Sequence, residues 1–256
     1  MPKARRLRRG IYLLPTLFTV GNLFCGFFSL VLTFRGAIEQ ASLLIIVAAV
    51  LDGLDGRIAR FTGSTSEFGN EFDSLADIIS FGAAPALLVY HWALLSLGRV
   101  GWLVAFLFVI CAAMRLARFN IQSSWSDRRY FAGLPSPPAG GALAALSFAF
   151  PATPAASWIV VTVALIVAAL GLLMVSRFRY VSFKQLELRS RRSYIYVLPL
   201  AATLVAIAIH PKTALLLLFG LYLLSAPATY AWGAVRRVRS RADDTGERAV
   251  NEPALR

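Results

Sequence analysis

The chain has 256 residues, of which 58% are hydrophobic and only 15% charged, with a formal net charge of +13 and a mean hydropathy of +0.67. Soluble domains are about 45–50% apolar and about 25% charged, so this composition excludes an ordinary water-soluble domain and predicts a polytopic membrane protein. In a soluble protein the positive charge would suggest nucleic acid as a partner; here the preference of Lys and Arg for the cytoplasmic side of a membrane accounts for it, and no nucleic-acid partner is expected. Cys25 and Cys111 both lie in apolar runs without metal-ligand spacing, which fits small core residues rather than a disulfide framework.

In chain order, residues 1–10 form a basic arm carrying Lys3, Arg5, Arg6, Arg8 and Arg9, suited to an anionic leaflet. The first apolar span covers Ile11 to Phe34. It is long enough to cross a bilayer, so it does not read as a cleaved signal peptide. Thr19 and Asn22 are polar within it. After the break RGAIEQ, a second span covers Ala41 to Phe61, and its last third holds Asp52, Asp55, Gly56, Arg57 and Arg60. The polar loop TGSTSEFGN leads into a third span, Phe72 to Leu95, which begins with Asp73 and Asp77. The fourth covers Gly101 to Phe119 and ends in MRLARFN. Prolines in GLPSPPAGG break the helix before a short fifth span, Ala139 to Phe150. The sixth is Ser157 to Val175, followed by the basic segment SRFRYVSFKQLELRSRR; the seventh is Tyr194 to Ile209 and the eighth Ala214 to Trp232. The expected fold class is therefore all-α, a membrane helix bundle of about eight transmembrane helices. Residues 1–235 form one membrane domain, and 236–256 a polar tail.

With eight spans both termini share a side, and 23 of the 26 Lys and Arg residues fall on it. That asymmetry puts both termini in the cytoplasm. It also puts the four aspartates near the cytoplasmic ends of spans two and three. His91 and His210 fall near the other ends, as interfacial side chains.

The aspartates are the energetic anomaly of the chain. Asp52 and Asp55 are three residues apart, Asp73 and Asp77 four, so each pair occupies one helix face. An acid at the centre of a membrane helix costs about 2.5–3.5 kcal/mol on insertion scales. The loop between the two spans allows them to pack antiparallel, which would set one pair against the other. Clustered carboxylates do not all stay ionised without cations among them, and hard divalent ions take carboxylate oxygens. One or two such ions could clamp a phosphoryl displacement. Gly56 and Gly69 leave room for a phosphate or base, Arg60 can fork onto a diphosphate, and Ser66 adds a hydroxyl. Three other readings of intramembrane acids are helix capping, structural pairing with the nearby arginines, and a cation-transport site. A transporter would spread its acids across the membrane depth, whereas these cluster at one end.

The stretch fits D-x2-D-G-x2-A-R-x8-G-x3-D-x3-D in full, through Asp52, Asp55, Gly56, Ala59, Arg60, Gly69, Asp73 and Asp77. It resembles the signature of the CDP-alcohol phosphatidyltransferases, eight fixed positions over 26 residues. The resemblance implies that the four aspartates bind Mg²⁺ or Mn²⁺ and that Asp77 is the base toward the acceptor hydroxyl. It also implies that Thr19, Asn22, Gly56, Arg60, Ser66 and Gly69 bind CDP-diacylglycerol. Outside the signature, LPTLFTVGNLFCGF, SFGAAPA, RLARFN, GLPSPPAGG and MVSRFRYVSFK look like the integral-membrane phosphatidylserine synthases of bacteria, a branch of that family. That likeness implies L-serine as the acceptor, an inner-membrane location with a cytoplasmic site, and a homodimer. The same chemistry on glycerol phosphate, an inositol phosphate or choline is the alternative. An amino-acid acceptor brings a carboxylate, for which Arg115, Arg118, Asn120, Arg177 and Lys184 are the candidate partners, with Arg179 beside them. Spans seven and eight contribute little beyond hydrophobicity to this reading.

Overall fold

The computed structural model describes residues 3–62, 66–122, 131–176, 179–180 and 194–225. Helix α1 (Lys3–Phe34) runs through the basic arm without a break and turns into α2 (Ile38–Thr62). The turn is legible in its bonds. Gly36 has a φ of 75°; its N–H donates to Thr33 O at 3.0 Å, and Ala37 N–H donates to Leu32 O at 3.0 Å. This is a Schellman closure, in which glycine takes the left-handed position that ends the helix.

The expected third span is not one regular helix. It comprises α3 (Glu67–Asp77), a π-helical segment (Ile78–Ala83) and α4 (Ala84–Trp92). Pro85 explains the widening. It has no N–H, and its ring crowds the carbonyl four residues back, so the regular ladder cannot continue through this turn. Ala84 N–H reaches instead to Ile79 O. A 3₁₀ turn (Leu94–Leu97) leads to α5 (Arg99–Gln122). Then follow α6 (Ser136–Ala149), α7 (Ser157–Val175), α8 (Tyr194–Ile209) and α9 (Pro211–Ser225).

Each of the eight apolar segments is thus helical, within the described residues. Four stretches are long and apolar enough to cross a membrane: Thr16–Phe34, Glu67–Trp92, Arg99–Ile121 and Ser157–Val175. The others fall short for identifiable reasons. Helix α2 has 25 residues but carries the acids and arginines of its last third. Helices α6 and α8 have 14 and 16 residues, against the about 20 that a bilayer core requires. One feature departs from the all-helical expectation. Phe131–Ala132 (β1) and Arg179–Tyr180 (β2) pair antiparallel, tying the chain before α6 to the chain after α7. Pairing between residues so distant in sequence leaves no local periodicity to detect. The polar tail 236–256 lies outside the described residues.

The interior is built on the π segment and α4, with Phe81 of the first and Leu88 and Val89 of the second fully buried together with Phe108 of α5, Leu143 of α6 and Val167 of α7. The outward faces are as apolar as the core: Leu17, Phe24, Phe27, Trp102, Phe106, Trp158 and Leu165 are all exposed. A surface of this kind is suited to lipid. The α1–α2, α4–α5 and α6–α7 turns share one end of the bundle, where Trp92 Nε1 donates to Ala152 O at 3.0 Å. The last turns of α2 and the first of α3 lie at the other end, with the aspartates.

Candidate active site

Helices α2 and α3 bring the two acid pairs together. One carboxylate oxygen each from Asp52, Asp55 and Asp73 lies within 4.8 Å of the other two. Asp77 is buried beside them, 8% exposed, within electrostatic range of Asp52, Asp73 and Asp55. Three hard oxygen donors converging from two helices fit a divalent cation, since such a group would otherwise be held together against its own repulsion.

The first helix supports the acids from behind. Thr19 Oγ1 donates to Asp55 Oδ2 at 3.0 Å, and Asn22 Nδ2 reaches Asp77 Oδ1 at 3.4 Å. The backbone N–H of Gly56 also bonds the Asp55 carboxylate. Asn22 is fully buried, and its Oδ1 has no hydrogen-bond partner among the described residues. The family resemblance implies that Thr19 and Asn22 bind CDP-diacylglycerol; the structure shows them bonded to Asp55 and Asp77. This arrangement depends on close packing of α1 against the π segment. A Cβ on Gly26 would fall on Ser80 Oγ and stand 2.7 Å from Ser80 Cα. Ser80 Oγ donates to Asn22 O at 3.0 Å, so the same contact fixes the backbone of the residue that reaches Asp77.

Ser66 is the N-cap of α3: its hydroxyl accepts from Gly69 N–H at 3.0 Å. Gly69 gives that hydroxyl room, because a Cβ there would lie 3.0 Å from it. The cap starts α3 about two turns before Asp73. Arg57 is exposed on α2. The side chain of Arg60 lies outside the described residues, as do Arg177 and Lys184; Arg179 is described only as part of β2.

Among the candidate acceptor residues, Arg115 belongs to the site. Its guanidinium lies within electrostatic range of Asp77 and Asp52. Nη1 donates to Ser136 Oγ at 2.8 Å, and the group stands 5.6 Å from the centre of the Phe119 ring. Arg118 follows on α5, half-buried. Asn120 is a strut: its Nδ2 bonds Ser74 Oγ at 3.1 Å and Glu71 Oε2 at 3.3 Å, fastening α5 to α3. Ser136 and Ser80 went unassigned in the sequence, although both lie in the blocks GLPSPPAGG and SFGAAPA. Their only signal was a polar residue inside an apolar block. A cavity of about 380 Å³ opens at the other end of the bundle, lined by residues including Gly36, His91, Trp92 and Thr153. It has no carboxylate in its lining, so it does not compete with the acid cluster for a cation.

Residues 12–173 match the family described as CDP-alcohol phosphatidyltransferase. This chain belongs to that family. The match takes in the whole acid cluster and every helix from α2 to α6. Among curated relatives of this phosphatidyltransferase, a protein of Helicobacter pylori named CDP-diacylglycerol–serine O-phosphatidyltransferase is 39% identical over 232 residues, covering 84% of this chain and 89% of its own. A Bacillus subtilis protein of the same name is 36% identical over 172 residues, 67% of this chain and 92% of that one. An archaetidylserine synthase from Methanothermobacter thermautotrophicus is 40% identical over 126 residues, 48% of this chain and 53% of its own.

Proposed function

We propose that this phosphatidyltransferase moves the phosphatidyl group of CDP-diacylglycerol to the hydroxyl of L-serine, giving phosphatidylserine and CMP. The observation that carries the reading is the convergence of Asp52, Asp55 and Asp73 in front of the buried Asp77, with Arg115 beside it. The names of the relatives favour serine over glycerol phosphate, an inositol phosphate or choline.

Asp52, Asp55 and Asp73 would hold Mg²⁺ or Mn²⁺, which when bound would neutralise charge on the diphosphate. Arg60, Gly56, Ser66 and Gly69 flank the diphosphate and nucleotide, with Thr19 and Asn22 setting the carboxylates behind them. Asp77 accepts the proton of the serine hydroxyl. The oxygen attacks the phosphorus that carries the diacylglycerol; the bond from that phosphorus to the bridging oxygen breaks, and the electron pair leaves with CMP. Arg115 supplies positive charge for the serine carboxylate, and Arg118, Asn120, Arg177 and Lys184 are the further residues assigned to the acceptor side. Catalysis in this account is positioning plus electrostatic stabilisation.

The domain assignment, with residues 1–235 in the membrane and 236–256 as a tail, belongs to the same proposal. So do eight crossings, cytoplasmic termini, and a site facing the cytoplasm from the inner membrane. The Lys and Arg asymmetry supports that orientation. A homodimer is carried forward on family resemblance alone. The test is a panel of acceptors offered to the purified protein with CDP-diacylglycerol and Mg²⁺ or Mn²⁺, scored by CMP release. Release dependent on serine is the expected result. Release driven by another alcohol would reassign the acceptor, and metal flux without nucleotide turnover would overturn the chemistry.

A further inference from the structure

Helix α9 lies beyond the residues that match the family, and in the sequence it is little more than an apolar run. Two contacts fix how it packs on α6. Lys212 Nζ stands 5.5 Å from the centre of the Phe148 ring, and a Cβ on Gly141 would fall on the ring of Phe219. From Lys212 to Phe219 the chain advances by seven residues, and from Phe148 to Gly141 it retreats by seven. The two helices are therefore antiparallel and in step. Leu215, 6% exposed, falls opposite the fully buried Ala145, as this register requires. An ion pair at the far end, Lys212 Nζ to Glu39 Oε1 at 2.7 Å, ties the start of α9 to α2.

Carried one turn further, the register sets Tyr222 level with Pro138. That is two residues, about 3 Å of helix rise, from Ser136. Ser136 is the hydroxyl that accepts from Arg115. Tyr222 is half-buried and packed against the core, within electrostatic range of Arg115. The Arg115 guanidinium thus has Ser136 of α6, Phe119 of its own helix and Tyr222 of α9 around it, with Asp77 beyond.

We propose that Tyr222 is a positioning residue for acceptor recognition: carried in by α9 on the Phe219–Gly141 contact, it holds the Arg115 guanidinium so that the acceptor's carboxylate lands beside Asp77. This inference rests on the proposal that the acceptor is an amino acid. A long, flexible arginine offers a fixed anion site only when its own donors are held, because ordering it otherwise costs side-chain entropy on every binding event. With the carboxylate on Arg115, the hydroxyl on the acceptor's Cβ, two carbons from the carboxyl carbon, is turned toward Asp77. Choice of acceptor would then depend partly on a helix that the family signature does not include.

The test is steady-state kinetics of the full chain, wild type and Tyr222→Phe, with serine and with serinol, which keeps the amine and hydroxyl but lacks the carboxylate. The wild type must first release CMP in response to serine; failure there sinks the proposed function by itself, and this inference with it. In Tyr222→Phe the KM for serine is expected to rise about tenfold, the size of a lost hydrogen bond to a charged group. The KM for CDP-diacylglycerol and the serinol rate are expected to stay unchanged. Phe219→Ala, which loosens α9 without touching Arg115, is expected to raise the serine KM in the same direction. An unchanged serine KM in Tyr222→Phe would overturn the assignment, and so would an equal rise for serine and CDP-diacylglycerol.

Discussion

Two parts of the bundle interior are built from opposite materials. Between α1, α2, α3 and the π segment, the buried residues include Thr19, Asn22, Ser29, Asp55, Asp77 and Ser80. Between α5 and α7 they include Phe108, Cys111, Val163, Val167, Leu170 and Met174, and a Cβ on Gly171 would lie 3.5 Å from Cys111 Sγ. Without water, a buried polar group needs a protein partner or a ligand. The polar side supplies such partners one by one: Thr19 to Asp55, Asn22 to Asp77, Ser80 to Asn22, Ser29 to Ala41 O. The α5–α7 side needs only shape. Because lipid is as apolar as its residues, packing is all that holds it together. On the proposed function, the first region is the part whose geometry matters for chemistry, and the second is scaffold.

The contrast can be tested by breaking each side. Removing divalent cations with a chelator should bring CMP release to background, and adding Mg²⁺ or Mn²⁺ back should restore it; a rate indifferent to chelation would contradict the role given to Asp52, Asp55 and Asp73. Gly26→Val would push α1 away from Ser80 and draw Thr19 and Asn22 off the acids. A misplacement of about 1 Å can cost about 10²-fold in rate, so turnover should fall by that order in protein that still purifies as a folded species. Thr19→Val removes one hydrogen bond to a carboxylate and keeps the shape. It should cost about tenfold in kcat/KM, near the lower bound for a bond to a charged group. Leu170→Ala, on the scaffold side, should lower thermal stability in detergent and leave the rate per folded molecule unchanged. A loss of rate in Leu170→Ala as large as that in Thr19→Val would erase the distinction between the two regions.

Much of the polar region was legible in the sequence because its information is local. The i+3 and i+4 spacing of the aspartates announces a shared face, and Gly36 announces a helix end. The remainder depends on contacts between distant residues. Pro85 is visible in SFGAAPA, yet a π segment that brings Ser80 against Gly26 follows only once α1 is packed there. Arg115 reads as one of several cytoplasmic arginines until Ser136 and Phe119 are seen around it. Asn120 reads as a binding residue, and its bonds to Glu71 and Ser74, which tie α5 to α3, have no signal in the sequence. The register of α9 on α6 has no sequence signal, since both helices are apolar on all sides. The β1–β2 pairing has none either, two residues on each strand being too few for alternation to show.

The central claim is that the carboxylate cluster between α2 and α3 performs the transfer, with Asp77 taking the acceptor's proton. Serine-dependent release of CMP from CDP-diacylglycerol by Asp77→Asn tests it most directly. The substitution keeps the shape of the side chain and removes its basicity. A positioned base contributes about 10²–10⁴-fold, so release should drop by at least that order while the folded protein still binds CDP-diacylglycerol. Turnover near that of the wild type would contradict the account.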